Sequence, residues 1–201
     1  MGKCIIAAAG ERCAIDIEIE CDDYVIAADA GLKYLEEDGI KCDMAVGDFD
    51  TLKYVPDHPN VIALKPEKDE TDTWEAVRQG MKKGYSEFHI FCALGGRTDH
   101  SIANIQLLEY LAENGMRGYL YGRNEKMTCI RNGNLHLEAK DGGYISVFSL
   151  SERSEGVTIE GLKYGLKDQM LTNSFPLGVS NEFTGKPAAI SVKKGSLLVI
   201  W

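Results

Sequence analysis

Positive charge is in short supply in this sequence. Its 201 residues carry 22 lysines and arginines against 31 aspartates and glutamates, a formal net charge of −9. Nucleic-acid binding rests on a basic surface, so nucleic acid is not expected as the main partner. A phosphate ligand stays compatible with this charge if a metal ion intervenes. Paired cysteine motifs are missing too. The six cysteines, at 4, 13, 21, 42, 92 and 129, form no C-x-x-C, which argues against a zinc site or a redox motif. Cys4 and Cys92 lie in apolar runs and read as small buried hydrophobes. No apolar segment approaches the length of a membrane span. The run CIIAAA at 4–9 is too short for a signal peptide and meets Gly10. The start MGKCII lacks the hydroxyl residue of a myristoylation site. A reduced, cytoplasmic protein without a membrane partner is expected. There is no internal repeat and no low-complexity linker.

What is present is an ordinary globular composition, 44% hydrophobic, in a chain long enough to bury a core without staples. Short apolar runs recur at 4–9, 24–28, 43–46, 61–64, 88–94 and 118–121. They are close to continuous, which suits buried parallel strands. Helical stretches fall between several of them. Residues 30–38 end at Gly39. Residues 72–83 place Trp74, Val77 and Met81 at helical spacing and end at Gly84. Residues 99–114 place Ile102, Ile105, Leu108 and Leu111 on one face and end at Gly115. Glycine just past a helix is the expected stop. Strand–helix alternation predicts an α/β layer with a mainly parallel sheet. Beyond residue 124 the helical period disappears. Turn sequences RNGN (131–134), KDGG (140–143) and KKGS (193–196) separate short strands, the chemistry of tight hairpins. The expected fold class is therefore α/β over 1–123, followed by an all-β sandwich domain over 124–201.

Carboxylates collect at the predicted strand ends. Asp48 and Asp50 follow the third strand in VGDFDTL, with Phe49 between them. In extended chain, residues two apart face the same way, so the pair is expected to point together. Asp29 follows the second strand, Asp69 and Asp72 the fourth, and Asp99 the fifth. In an open α/β sheet, ligands bind outside the carboxyl ends of the strands. Six carboxylates on one edge would repel each other unless a cation is present, and Mg²⁺ suits them. Each has a structural reading as well. Asp72 caps its helix with Glu75 reaching back, Asp99 is a first-turn aspartate favoured by the helix dipole, and Asp29 is a turn residue beside Gly31.

The stretch ALGGRTDH at 93–100 adds a phosphate-binding element. Gly95 and Gly96 allow close backbone approach at a helix entrance, and Arg97 can grip a pair of phosphate oxygens. This is neither a P-loop nor a G-x-G-x-x-G fingerprint. Lys65 and Lys68 add positive charge nearby. His100 reads as a hydrogen bonder at the helix start.

Together, AADAG (27–31), VGDFDTL (46–52), KDETD (68–72), LGGRTDHSIANI (94–105) and GVSNEFTG (178–185) resemble the thiamine pyrophosphokinase family. They stand in family order and span most of the chain. Two positions depart from the family pattern, Ala30 for glycine and Thr51 for serine. The resemblance implies an N-terminal α/β domain with a C-terminal β-sandwich. It implies transfer of pyrophosphate from ATP to the thiamine hydroxyl, releasing AMP. It places Mg²⁺ on Asp48, Asp50 and Asp72, with Asp69 and Asp99 completing the catalytic set. Asp29 and Arg97, with Gly95, Gly96 and Lys68, would lie by the substrate and its polyphosphate. Ser180 and Asn181 would bind the aminopyrimidine of thiamine. The active site would lie at a homodimer interface, with the Ser180-type residues coming from the other subunit. Phe183 reads as a core residue rather than a stacking partner.

Two rival readings have sequence features of their own. DFDTL superficially matches the D-x-D-x-[TV] motif of haloacid-dehalogenase phosphatases, but Thr51 falls one position early. A non-enzymatic nucleotide- or metal-binding protein would have less need of so many metal ligands.

Overall fold

The computed structural model describes residues 2–50, 53–65 and 70–201. The first part of the chain alternates strand and helix as its apolar runs predict: β1 (Cys4–Ala7), β2 (Tyr24–Ala28), α1 (Gly31–Glu37), β3 (Met44–Gly47), β4 (Val61–Ala63), α2 (Asp72–Lys82), β5 (Glu87–Phe91), α3 (Thr98–Glu113) and β6 (Arg117–Tyr121). The six strands pair in the order β6-β5-β1-β2-β3-β4, and every pairing is parallel. The chain winds outward from β1 to β4, then restarts on the other side of β1 with β5. That reversal makes β1/β5 the topological switch point, beside which ligands bind in open α/β sheets.

The strands are buried because helices cover them. Ile5, Ala7, Val25, Ala27 and Ala45 pack with Leu32 and Leu35 of α1 and with Phe91. Gly31 lets α1 start against β1, since a Cβ there would fall 1.9 Å from the carbonyl oxygen of Ala7. The buried faces of the other two helices match the expected apolar spacing only in part. In α2 the buried positions are Thr73, Glu75, Ala76, Val77 and Gly80, not Trp74 and Met81. Gly80 explains the rotation: a Cβ there would lie 2.7 Å from the Phe88 ring and 2.8 Å from Cys4 Sγ. The helix presses this narrow side onto the sheet at β1, β2 and β3 because that side brings the axis closest. In α3 the buried residues are Asn104, Leu107, Leu108 and Leu111, while Ile102 is 54% exposed.

The rest of the chain is antiparallel β: β7 (Lys126–Arg131), β8 (Asn134–Leu137), β9 (Tyr144–Ser149), β10 (Arg153–Glu160), β11 (Leu166–Thr172), β12 (Gly178–Glu182), β13 (Ala188–Ser191) and β14 (Ser196–Ile200). One layer runs β12-β9-β14-β7, the other β11-β10-β13-β8. Alternate residues of both layers, among them Ile145, Val147, Val157, Ile159, Ile190 and Val199, form one shared core, and Phe183 is part of it. This is sandwich packing. Residues Met1–Leu108 and Gly115–Asn124 form one compact unit, Glu109–Asn114 and Glu125–Trp201 the other. No helix among the described residues is long and apolar enough to cross a membrane.

Candidate active site

The residue after β2 sets up the site. Asp29 adopts a left-handed backbone, φ 49°, a conformation aspartate tolerates better than most side chains. Its N–H donates to the Val46 carbonyl at 2.8 Å, and its own carbonyl accepts from Leu32 at 3.3 Å. The turn is thus tied to β3 on one side and to α1 on the other. Gly47 makes the approach possible, since a Cβ there would lie 3.1 Å from Asp29 Cα.

β3 then ends in Gly47–Asp48–Phe49–Asp50. The carboxylates of Asp48 and Asp50 do converge, but not through extended chain. Phe49 is left-handed, φ 56°, and its ring is buried in the α/β core at 2% exposure. A bulky residue at positive φ is strained, and burial of the ring in the core holds it there. The turn is fastened by the Lys53 N–H donating to the Phe49 carbonyl at 2.9 Å. The Asp50 N–H donates to Asp48 Oδ1 at 3.4 Å.

Asp29, Asp48 and Asp50 each offer a carboxylate oxygen within 4.8 Å of the others. Asp29 is 6% exposed, and its Oδ1 has no hydrogen-bond partner among the described residues. A buried unsatisfied carboxylate oxygen is costly. A hard divalent cation would satisfy it, and an all-oxygen donor set fits Mg²⁺. The three residues therefore suit the Mg²⁺ expected from the sequence, with Asp29 in place of Asp72 in the group.

Among the described residues, Asp72 and Asp99 are not part of that group. Asp72 is the first residue of α2, and the helix is capped by Thr71, whose Oγ1 accepts from the Trp74 N–H at 3.2 Å. The expected capping by Asp72 with Glu75 reaching back does not occur. Glu75 is instead buried against Arg78 and Gln79. Asp99 is exposed and forms a two-pronged pair with Arg97, Nε–Oδ1 3.2 Å and Nη2–Oδ2 2.7 Å. The Arg97 hydrogen bonds hold the Asp99 carboxyl below the usual aspartate range. His100 is exposed, and its N–H donates to Asp99 Oδ1 at 3.0 Å. Lys68, Asp69 and Thr51 lie outside the described residues, and Lys65 is exposed.

The loop that carries Arg97 is built on left-handed glycines, Gly95 at φ 78° and Gly96 at φ 66°. Its base is pinned from α3: buried Asn104 donates from Nδ2 to the Ala93 carbonyl at 2.7 Å. Sequence reasoning passed over Asn104 as one letter of a longer motif. A polar residue on the apolar face of a helix was the available signal.

In the β unit, Ser180 and Asn181 have different jobs. A register shift in the β12/β9 pairing falls between Gly178 and Asn181. Ser180 sits in it with φ 58°, exposed, its N–H donating to Ser146 Oγ at 3.1 Å. Such bulges re-aim a side chain. Asn181 is buried, and both its amide oxygen and its amide nitrogen are engaged within the fold. Oδ1 accepts from the N–H groups of Tyr164 and Glu182, both at 2.9 Å, and Nδ2 donates to the Tyr164 carbonyl at 2.6 Å. That grip presents the Tyr164 ring, 58% exposed, beside a shallow pocket that Leu166, Leu177 and Val179 also line. Tyr164 was missed in the sequence. An aromatic between two glycines, in GLKYG, was the signal.

The chain matches known proteins along nearly its full length. The model described as "Thiamin pyrophosphokinase, catalytic domain" matches residues 16–120. That described as "Thiamin pyrophosphokinase, vitamin B1 binding domain" matches 134–197. A curated thiamine pyrophosphokinase of Bacillus subtilis (strain 168) is 28% identical over 205 residues, covering 98% of this chain and 96% of that protein. The crystal structure of thiamine pyrophosphokinase from Bacillus subtilis superposes with a TM-score of 0.88 at 27% identity, covering 98% of this chain and 97% of that one. The enzyme from Geobacillus thermodenitrificans gives 0.85 at 25% identity, with 100% and 96% covered. With both domain models matched in order over one chain, this protein belongs to the thiamine pyrophosphokinase family.

Proposed function

We propose that the protein transfers the β,γ-pyrophosphoryl group of ATP to the hydroxyl of thiamine, yielding thiamine diphosphate and AMP, in the cytoplasm. Beyond family membership, the observation that carries this reading is the convergence of Asp29, Asp48 and Asp50 around an unsatisfied buried carboxylate oxygen. Pyrophosphoryl transfer asks for positioning and charge neutralisation more than for covalent chemistry. In this reading the α/β domain, 1–123, handles nucleotide and metal, and the β-sandwich, 124–201, handles thiamine.

Asp48 and Asp50, with Asp29 behind them and Asp72 from the start of α2, would hold Mg²⁺. When bound, the ion neutralises charge on the polyphosphate. Asp69 would add to the acidic set and Lys68 to the positive charge near the polyphosphate, as the resemblance implies. Gly95 and Gly96 let backbone N–H groups come close to the polyphosphate. Arg97 is held by Asp99 in the free protein, and a phosphate oxygen pair competes for the same fork. Exchange of partners would release the Asp99 carboxylate to accept the thiamine hydroxyl proton. Asp72 is the other candidate for that role.

Thiamine is cationic and carries two flat aromatic rings. Ser180 offers a hydroxyl to its aminopyrimidine. Tyr164 offers a ring face, and Asn181 positions both through the backbone. The β unit leaves Tyr144, Tyr164, Met170, Phe175, Leu177 and Val179 exposed. Apolar exposure of this kind supports pairing of two copies, with Ser180 of the partner subunit completing each site. The direct test is AMP release from ATP, measured with and without thiamine and with and without Mg²⁺. AMP formation that requires both supports the reading. Phosphate release that ignores thiamine would replace it with a phosphohydrolase.

A further inference from the structure

Two cysteines meet at the switch point of the parallel sheet. Cys13 and Cys92 are 79 residues apart in sequence, and their sulfurs lie 3.4 Å apart. Cys13 is 6% exposed and Cys92 fully buried. The contact is reciprocal: the Cys13 N–H donates to Cys92 Sγ at 3.3 Å, and the Cys92 N–H donates to Cys13 Sγ at 3.1 Å. The backbone around them is zipped. The N–H of Gly10 donates to the Cys92 carbonyl at 2.8 Å and that of Glu11 to the Leu94 carbonyl at 2.9 Å. Cys92 itself is held left-handed, φ 53°. It is the first residue after β5 and leads directly into Ala93–Arg97.

We propose that Cys13 and Cys92 form a reversible intramolecular disulfide, a covalent staple between the segment after β1 and the root of the glycine loop after β5. A disulfide needs sulfurs at about 2.05 Å. At 3.4 Å the two sulfurs are already in contact and need approach by only a further ~1.4 Å. Two further features favour the chemistry. Backbone N–H groups aimed at each sulfur stabilise a thiolate. Cys92 is the more acidic partner: the hydrogen bond from Cys13 lowers its pKa, and the Cys13 N–H and Arg12 lower it further against the effect of burial.

A small oxidant, hydrogen peroxide, completes the balance. The Cys92 thiolate attacks one peroxide oxygen and the O–O bond breaks. The leaving hydroxide takes up a proton, and the sulfur keeps an OH as a sulfenic acid. Cys13 Sγ then attacks Cys92 Sγ. The S–S bond forms, the S–O bond breaks, and hydroxide leaves with the Cys13 proton as water. Two thiols and one peroxide give one disulfide and two waters. The sulfurs are oxidised and the peroxide is reduced. A dithiol reverses the bond by two exchange steps.

The experiment uses the full chain. The protein is exposed to hydrogen peroxide at neutral pH, alkylated in denaturant, digested without reductant and analysed by mass spectrometry. The expected product is a peptide pair joined through Cys13 and Cys92, lighter by two hydrogens and separated again by dithiothreitol. Oxidised protein should also melt at a higher temperature than reduced protein, because the link closes a long loop in the unfolded chain. Cys13→Ser should abolish the linked pair, and Cys21→Ser should leave it unchanged. Linkage through other cysteines would overturn the proposal. So would sulfinic acid at Cys92 with Cys13 still open to alkylation. The consequence for turnover rests on reading 93–97 as the polyphosphate loop: oxidation is expected to raise KM for ATP more than for thiamine. A linked protein with unchanged KM for ATP would leave the disulfide standing and refute that reading of the loop.

Discussion

Two buried polar side chains, one in each unit, are treated in opposite ways. In the α/β unit, Asp29 is buried with one carboxylate oxygen unsatisfied among the described residues, facing two further carboxylates. In the β unit, Asn181 is just as buried, yet both its amide oxygen and its amide nitrogen are engaged by Tyr164 and Glu182. The first arrangement is costly alone and would be completed by a cation. The second is complete alone and shapes what lies beside it. A family motif therefore does not label its residues by role. Polar satisfaction separates those that meet a ligand from those that hold the residues that do.

The sharpest way to break this contrast is Asp50→Asn. Loss of one exposed ligand charge should leave circular dichroism and melting unchanged, while kcat falls by roughly 10²–10³-fold, the scale on which single preorganised electrostatic groups act. A folded variant with normal turnover would refute the metal assignment. Asn181→Ala comes next. It strands the Tyr164 N–H and C=O, so stability should drop by about 1–3 kcal/mol in denaturant titration. KM should rise for thiamine rather than for ATP. Ser180→Ala should give the same KM pattern without the stability loss; a larger change for ATP would move Ser180 to the nucleotide.

Asp29→Asn sharpens the comparison from the other side. Asparagine also tolerates the left-handed turn, and removing the charge relieves repulsion. In metal-free buffer the variant should melt higher, by about 2–4 °C per kcal/mol gained, while activity falls. A lower melting temperature would show that the carboxylate is satisfied in the free protein. The smallest effect concerns Asp23, away from the site. Burial raises its pKa, but the N–H groups of Glu20 and Lys3 and the Lys3 side chain outweigh this and hold it below the ordinary value. Its folded-state pKa is depressed, so its contribution is present above the unfolded value and lost as pH falls through the folded one. Asp23→Asn should flatten that acid limb and cost about 1 kcal/mol at neutral pH.

Much of this architecture was legible in the chain. Six apolar runs and three glycine-stopped helices reappear as the strands and helices of a parallel sheet, because burial on both faces leaves a continuous apolar signature. The pairing of Asp48 with Asp50 was also legible, though for the wrong local reason. Phe49 is drawn into the core by its ring and forces a left-handed turn, and spacing two apart carries no information about that pull. Helix faces were less legible. Gly80 and Asn104 decide which sides of α2 and α3 are buried, one by close approach and the other by a hydrogen bond to Ala93. A hydrophobic period cannot register either.

By itself the sequence determined the order of elements, the division of texture near residue 124, and the placement of carboxylates at strand ends. These follow from local periodicity and from turn chemistry, which act over a few residues. Tertiary structure alone decided that Asp29 joins Asp48 and Asp50, that Asn181 serves Tyr164, and that Cys13 meets Cys92. Those are contacts between segments far apart in the chain. The first exists only after β2 has come beside β3, the third only after β1 has come beside β5, and the second only once β12 has its place in the sandwich, steps that depend on burying shared surface rather than on any single stretch of residues.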